Sequence, residues 1–240
     1  MPGPLQENIS FPSGAYTLSG VLHLPGNPRP PLVIGLHGLF ADKSSPKQRA
    51  LAEMLGRSGI AYLRFDHRGC GESSGDFKAA TTFAGRCEDL LSALAHASSR
   101  PDLGPGRALF GSSMGGSVSL AVAARHPVNA IAVLAAPAFG AKLAELILRS
   151  EDADRVSPEF MSEMRGLLPP EPGFRPGPLL VAHAEGDSVV PVENGREIFQ
   201  RASGEKKMLL YSGGDHGLTD PVLRNDFYFH AARWLSRRLA

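Results

Sequence analysis

Short runs of consecutive apolar residues alternate along the chain with longer segments in which apolar residues recur at helical spacing. An apolar run bounded by turn residues is typical of a strand that is buried on both faces, as in a parallel sheet. Apolar residues three or four positions apart predict a helix with one buried face. The predicted strands are residues 16–25, 31–38, 60–66, 107–111, 130–137, 178–187 and 206–213. The predicted helices are residues 44–58, 82–97, 114–126, 192–201 and 224–239.

This alternation predicts an α/β fold, with a mostly parallel central sheet and helices on both of its faces. The first predicted strand, residues 16–25, alternates apolar and polar positions instead, and we interpret it as one arm of an N-terminal hairpin. A length of 240 residues is compatible with one α/β domain, so we expect a single domain over residues 1–240.

One stretch, residues 139–177, carries no strand pattern although it lies between two predicted strands. Its apolar side chains recur at helical spacing in two groups. The pair Ser157 and Pro158 is typical of an N-cap followed by the first residue of a helix. We interpret residues 139–177, called the insert below, as a small two-helix lid over the carboxyl edge of the sheet. The alternative is an ordinary helical crossover that covers the sheet.

Composition narrows the possible partners and the compartment. The formal net charge of +1 gives no electrostatic reason to expect nucleic acid. The two cysteines, Cys70 and Cys87, have no metal-type spacing, and we expect reduced thiols. No apolar run is long enough for a membrane span, and the N-terminal stretch does not have the pattern of a secretory signal. We therefore expect a cytoplasmic protein; the pattern does not decide its oligomeric state.

The pattern G-x-S-x-G occurs twice, centred on Ser113 and on Ser73. In this pattern a nucleophilic serine sits on a strained turn between a strand and a helix, and glycines allow the close packing around it. Ser113 directly follows a predicted strand and directly precedes a predicted helix, whereas Ser73 lies in a loop rich in glycine and serine. We therefore predict Ser113 as the nucleophile and a structural role for Ser73.

A serine nucleophile requires a base, and the base requires a group that orients it. His216 follows the last predicted strand and lies in a loop at the same sheet edge as Ser113, whereas the other histidines lie in strands, in helices or in loops earlier in the chain. Asp187 follows the strand between the serine and the histidine. We prefer it to Asp215, because side chains adjacent in sequence to the base rarely meet it in the required geometry.

The order Ser113, Asp187, His216 resembles that of the α/β-hydrolase superfamily. The segments "LHGLF", "FDHRGCGESSG" and "HAEGDSVVP" are similar to that superfamily's oxyanion loop, its loop after the fourth strand and its acid loop. The resemblance is greatest to small bacterial esterases of the cinnamoyl-esterase and monoglyceride-lipase kind. It implies an oxyanion hole formed by the backbone N–H groups of Leu39 and Met114, with Phe40 as the less favoured donor.

From these residues we expect a serine hydrolase that cleaves carboxylic esters through an acyl-serine intermediate. The expected partner is a small-molecule ester or other acyl substrate, and no metal or organic cofactor is expected. A thioesterase, an amidase or aminopeptidase, and a C–C hydrolase would use the same triad. A binding protein that keeps the fold without catalysis is a further alternative.

Overall fold

The computed structural model describes residues 5–239. Residues 1–4 and 240, which belong to the predicted domain 1–240 and to the stretch inspected for a secretory signal, lie outside the described residues. Eight strands form one sheet in the order β1-β2-β4-β3-β5-β6-β7-β8. The first two strands form an antiparallel hairpin that pairs antiparallel with β4, and all later pairs are parallel.

The strands and helices have the following bounds. The strands are β1 Leu5–Ser13, β2 Tyr16–Leu24, β3 Leu32–Leu36, β4 Ala61–Phe65, β5 Arg107–Ser112, β6 Ala130–Leu134, β7 Leu179–Ala184 and β8 Lys206–Tyr211. The α-helices are α1 Pro46–Arg57, α2 Phe77–Ala80, α3 Phe83–Ser99, α4 Met114–Ala123, α5 Gly140–Leu148, α6 Pro158–Gly166, α7 Glu193–Arg201 and α8 Pro221–Leu239. A 3₁₀ turn covers Ala153–Arg155.

The sheet is buried on both faces, as the continuous apolar runs predict. Side chains of α3, α4 and α7 form one core with the first face, and side chains of α1 and α8 form a second core with the other face. Successive strand residues point to opposite faces; for example, Val33 belongs to the second core and Ile34 to the first. The predicted α/β class, with a mostly parallel sheet and helices on both of its faces, is confirmed.

Two differences from the predicted elements have a local cause. Helix α8 begins at Pro221 and not at residue 224, because Asp220 accepts hydrogen bonds from the N–H groups of Val222 and Leu223 and so caps the helix. The short helix α2 was not predicted. It is capped in the same way by Asp76, which accepts from the N–H of Ala79.

The insert folds as α5, the 3₁₀ turn and α6 between β6 and β7. Ser157 caps α6 by accepting a hydrogen bond from the N–H of Phe160, with Pro158 at the first helical position, as the sequence predicts. The two helices pack on each other through a third apolar cluster, which includes Ile147, Phe160 and Met164. None of the helices within residues 5–239 is long and apolar enough to cross a membrane.

Candidate active site

Ser113 lies on the turn between β5 and α4, near the middle of the sheet. Its backbone has φ 54° and ψ −126°, a conformation that is unfavourable for a residue with a Cβ and that costs about 1–3 kcal/mol. The turn is held because the N–H of Ser113 donates to the carbonyl of Leu134 on β6, 2.8 Å away. The side chain is therefore fixed at the carboxyl edge of the sheet.

Glycines allow the chain to approach itself closely around Ser113. A Cβ at Gly115 would lie 2.5 Å from the carbonyl oxygen of Leu36 and 2.7 Å from that of His37. A Cβ at Gly111 would collide with the carbonyl of Gly115. These glycines let the first turn of α4 pack directly against the end of β3, which places the loop after β3 beside Ser113.

His216 and Asp187 reach Ser113 from two other strand ends. The Nε2 atom of His216 lies 3.1 Å from Ser113 Oγ, and its Nδ1 lies 2.8 Å from Asp187 Oδ2. Asp187 follows β7 and His216 follows β8, so that three loops at one sheet edge converge. With Nδ1–H donating to the carboxylate, Nε2 is left to accept the proton of the serine hydroxyl.

Asp187 is buried and is held by several donors. Its Oδ1 accepts hydrogen bonds from the N–H groups of Val189 and Val190 at 2.9 and 2.8 Å, and Oδ2 faces His216 and, at 3.4 Å, His183 Nε2. Burial raises the pKa of Asp187, but these hydrogen bonds outweigh burial and hold its pKa below the usual value. Asp187 is therefore ionised at neutral pH.

The candidate oxyanion donors are the backbone N–H of Leu39, in the loop after β3, and the backbone N–H of Met114, directly after Ser113. Met114 is the first residue of α4, so that its N–H has no acceptor within the helix. Leu39 follows Gly38, at which a Cβ would lie 3.4 Å from Ser113 Cβ. Within residues 5–239, neither N–H donates a hydrogen bond to a protein group. Both N–H groups are therefore candidates for binding a ligand oxygen.

A buried arginine that the sequence analysis did not single out lies beneath this loop. Arg86 of α3 is fully buried and donates hydrogen bonds to the carbonyl oxygens of Gly38, at 3.3 Å, and Leu39, at 2.9 Å. Burying a guanidinium is expensive unless its donors are used, and here two of its bonds go to the loop that carries the Leu39 N–H. Arg86 was missed because it lies within a helical pattern, and the contacts are distant in sequence.

Ser73, the centre of the second G-x-S-x-G match, lies away from this site. Its hydroxyl donates to the carbonyl of Asp66 at 2.6 Å and accepts from the N–H of Ser19 at 2.9 Å, which ties the loop after β4 to β2. Asp66 in turn accepts hydrogen bonds from the N–H groups of Lys43 and Glu72. This loop therefore has a structural role, as predicted.

His37 is also structural. It is fully buried, its Nδ1 donates to the carbonyl of Gly38 at 2.7 Å, and its Nε2 accepts from the N–H of His67 at 3.2 Å. Burial lowers the pKa of His37 well below its usual value, which keeps the ring neutral. It fixes the start of the loop that Arg86 holds further along. Among the described residues, no group of three or more histidine, cysteine, aspartate or glutamate side chains is placed to hold a metal ion.

Residues 27–165 match the model of a family described as serine aminopeptidase, S33. The monoacylglycerol lipase of Mycolicibacterium smegmatis is 28% identical, with 77% of this chain and 80% of the lipase covered. The uncharacterised protein YfhR of Escherichia coli O157:H7 is 26% identical over 77% of this chain. The match covers 62% of YfhR, so this chain spans less than two thirds of that relative's length.

Solved structures share the fold. Mouse alpha/beta hydrolase domain-containing protein 10 superposes with a TM-score of 0.78 at 20% identity, covering 97% of this chain and 99% of that one. The esterase domain of a Rhodothermus marinus protein superposes with a TM-score of 0.75 at 24% identity, covering 98% and 100%. The similarity extends over nearly the whole of both chains.

Proposed function

Because this chain belongs to the serine aminopeptidase S33 family and has the α/β-hydrolase fold, we propose that it is a serine hydrolase that cleaves carboxylic esters. The observation that carries the proposal is the convergence of Ser113, His216 and Asp187, with 3.1 and 2.8 Å between their polar atoms. This is the geometry of a nucleophile, a base within hydrogen-bond reach and an ionised group that orients the base.

In the proposed first step, Ser113 Oγ attacks the ester carbonyl carbon while His216 Nε2 takes the hydroxyl proton. The tetrahedral intermediate collapses, the C–O bond to the alcohol breaks, and His216 returns the proton to the leaving alcohol. A water molecule then attacks the acyl-serine, with His216 again as base, and releases the acid and free Ser113. Asp187 stays ionised throughout and stabilises the imidazolium.

The backbone N–H groups of Leu39 and Met114 are proposed to bind the oxyanion of each tetrahedral intermediate. Loss of one such donor typically costs about 3–4 kcal/mol in transition-state stabilisation. The positive end of the α4 dipole points the same way. Because the donors are backbone groups, substituting the Leu39 or Met114 side chain affects this term only through the position of the backbone.

The insert is proposed to act as a lid over this site and to set the substrate class. Apolar side chains of the insert and of the loop after β3, including Leu146, Phe139 and Phe40, are partly exposed to solvent. They favour an aliphatic or aromatic acyl group over a charged one. The sequence similarity to a monoacylglycerol lipase supports an ester as the scissile group, although the family description names an aminopeptidase.

Hydrolysis of a series of p-nitrophenyl esters, from acetate to dodecanoate, tests the proposal, with Ser113→Ala as the matched variant. We expect turnover by the native protein and a loss of about 10⁶-fold, or to the detection limit, in the variant. A fluorophosphonate probe should label the native protein and leave the variant unlabelled, because only an activated serine reacts.

The outcomes separate the alternatives. Ester turnover that persists in Ser113→Ala would overturn the assignment of the nucleophile. Labelling without ester turnover would transfer the proposal to thioesters, amides or C–C bonds, which the same site can attack. Neither labelling nor turnover would indicate a binding protein that keeps the fold.

A further inference from the structure

The loop that carries the Leu39 N–H, residues 38–41, is held from two sides by arginines. Beneath it, Arg86 donates to the carbonyls of Gly38 and Leu39. Above it, Arg155 in the 3₁₀ turn of the insert places its guanidinium 4.5 Å from the centre of the Phe40 ring. The first contact lies within the core of the domain, whereas the second joins the loop to the insert.

The contact of Arg155 is shared between two aromatic rings. Its guanidinium also lies 5.5 Å from the centre of the Phe77 ring, and the Phe40 and Phe77 ring centres are 5.7 Å apart. Both guanidinium distances are within the range of about 6 Å in which a cation is attracted to an aromatic face. Asp152 accepts a hydrogen bond from Arg155 at 2.5 Å. This bond helps to orient the guanidinium toward the two rings.

The same part of the insert packs on the side chains of both proposed oxyanion donors. Leu39 and Met114 belong to the apolar cluster formed by Val156, Phe160 and Met164 of the insert. Displacement of the insert would therefore uncover the side chains of the two residues whose N–H groups are proposed to bind the oxyanion. The insert and the oxyanion site are one packing unit.

We propose that Arg155 is a positioning residue that couples closure of the insert to the geometry of the oxyanion loop. When the insert is closed, Arg155 holds Phe40, and Phe40 fixes the adjacent Leu39 N–H against the anchor that Arg86 provides. When the insert opens, this hold is lost and the loop keeps only its inner anchor. This inference rests on the proposed esterase function.

The kinetic test compares Arg155→Ala, Phe40→Leu and the double variant on the best p-nitrophenyl ester. A positioning effect on the oxyanion acts in the transition state, so kcat should fall about 3- to 10-fold in Arg155→Ala while KM stays within about twofold. The double variant should be little slower than the slower single variant, because both changes break the same contact.

Arg165→Ala is the matched control. Arg165 lies exposed on α6 of the same insert and makes no salt bridge or cation–π contact within residues 5–239. The kcat of Arg165→Ala should equal that of the native protein. The proposal is overturned if Arg155→Ala leaves kcat unchanged, if it raises KM alone, or if the losses of the two single variants multiply.

Limited proteolysis tests the contact without relying on activity. Phe40→Leu leaves the tryptic sites of the insert intact, yet it should raise the rate of cleavage after the exposed Arg149, because local opening of the insert becomes more frequent. Arg165→Ala should cleave there at the native rate. An unchanged cleavage rate in Phe40→Leu would overturn the proposed role of the contact between Arg155 and Phe40. A faster rate in a protein with no ester turnover would contradict only the proposed function.

Discussion

At the scale of single residues, the charge and the hydrogen bonds of Asp187 determine which tautomer His216 adopts. Two backbone N–H groups, of Val189 and Val190, occupy Oδ1, so only Oδ2 is left to face His216 Nδ1. The side chain at this position must therefore accept hydrogen bonds at both of its terminal atoms. An aspartate does so, whereas an asparagine cannot.

Asp187→Asn is therefore expected to abolish most of the activity without unfolding the protein. The two backbone N–H groups require the amide oxygen, so the amide nitrogen would turn toward His216 and make Nδ1 an acceptor. Nε2 would then carry the proton and could not accept one from Ser113. We expect kcat to fall about 10⁴-fold, measured on the best ester, while thermal unfolding remains a single cooperative transition.

Asp215→Asn is the control, because Asp215 is adjacent to His216 in the sequence and is the alternative candidate for the orienting acid. Its carboxylate accepts hydrogen bonds from the N–H and hydroxyl of Thr219, away from the imidazole, so we expect kcat within about twofold of native. A loss in Asp215→Asn as large as that in Asp187→Asn would contradict the choice of acid.

Ser113, Asp187 and His216 could be predicted from the sequence because each lies within a few residues of the end of an apolar strand, and strand ends converge at one edge of a parallel sheet. Arg86 could not be predicted in this way, because the partners of Arg86, Gly38 and Leu39, are distant in the chain. No local sequence signal marks a buried arginine. The roles of Ser113, Asp187, His216, Leu39 and Met114 stay predictions until the variants are measured.

At the scale of elements, the proposed oxyanion hole requires that the start of α4 lies close to the end of β3, because one proposed donor, Met114, begins α4 and the other, Leu39, lies in the loop after β3. Gly115→Ala would insert a methyl group 2.5 Å from the carbonyl oxygen of Leu36, and backbone atoms on both sides cannot yield easily. We expect the free energy of unfolding to fall by about 2 kcal/mol or more. We also expect the fold-decrease in kcat to exceed the fold-increase in KM.

Gly166→Ala is the comparison for that change. Gly166 ends α6 and has nothing within 4 Å of the added Cβ, so the substitution should stabilise the protein by up to about 1 kcal/mol. Urea unfolding of both variants measures the two effects. Equal effects of the two substitutions would show that contact with β3 does not govern the response at Gly115.

The helices of the insert could be predicted from their spacing and from the cap at Ser157, since both signals are local. The 3₁₀ turn and the contact of Arg155 with Phe40 could not, because they depend on where the insert packs. The role of residues 139–177 as a lid remains a proposal. The alternative, an ordinary helical crossover, would be favoured if Arg155→Ala and Phe40→Leu left kcat unchanged.

At the scale of the whole molecule, the domain buries histidines that the proposed mechanism does not use. Burial lowers the pKa of His23 and of His67 to about 4 and that of His37 well below its usual value. At His67 a hydrogen bond to Asp89 opposes the effect of burial without cancelling it. All three rings are neutral in the folded protein at neutral pH and join neighbouring strands and loops.

We expect these histidines to make the fold less stable in mild acid. Between about pH 6.5 and pH 4 the unfolded chain protonates each of them while the folded protein does not, so the unfolded state binds more protons. The free energy of unfolding therefore falls as the pH falls through this window, by at most about 1.4 kcal/mol per pH unit for each histidine. Above about pH 5 most carboxylates stay ionised in both states, so the loss of stability caused by the histidines begins before the loss caused by carboxylates such as Asp187.

Urea unfolding at pH values from about 7 to about 4.5 measures this dependence, and His23→Gln isolates one contribution. Arg64 Nε donates to His23 Nε2 at 2.8 Å, and the glutamine oxygen keeps an acceptor for it while removing the titrating ring. We expect a shallower fall of stability with decreasing pH in His23→Gln than in the native protein. His126→Gln, a change at an exposed histidine, should leave the slope unchanged. A native slope in His23→Gln would mean that His23 is protonated without unfolding, and its burial would not then be a source of acid sensitivity.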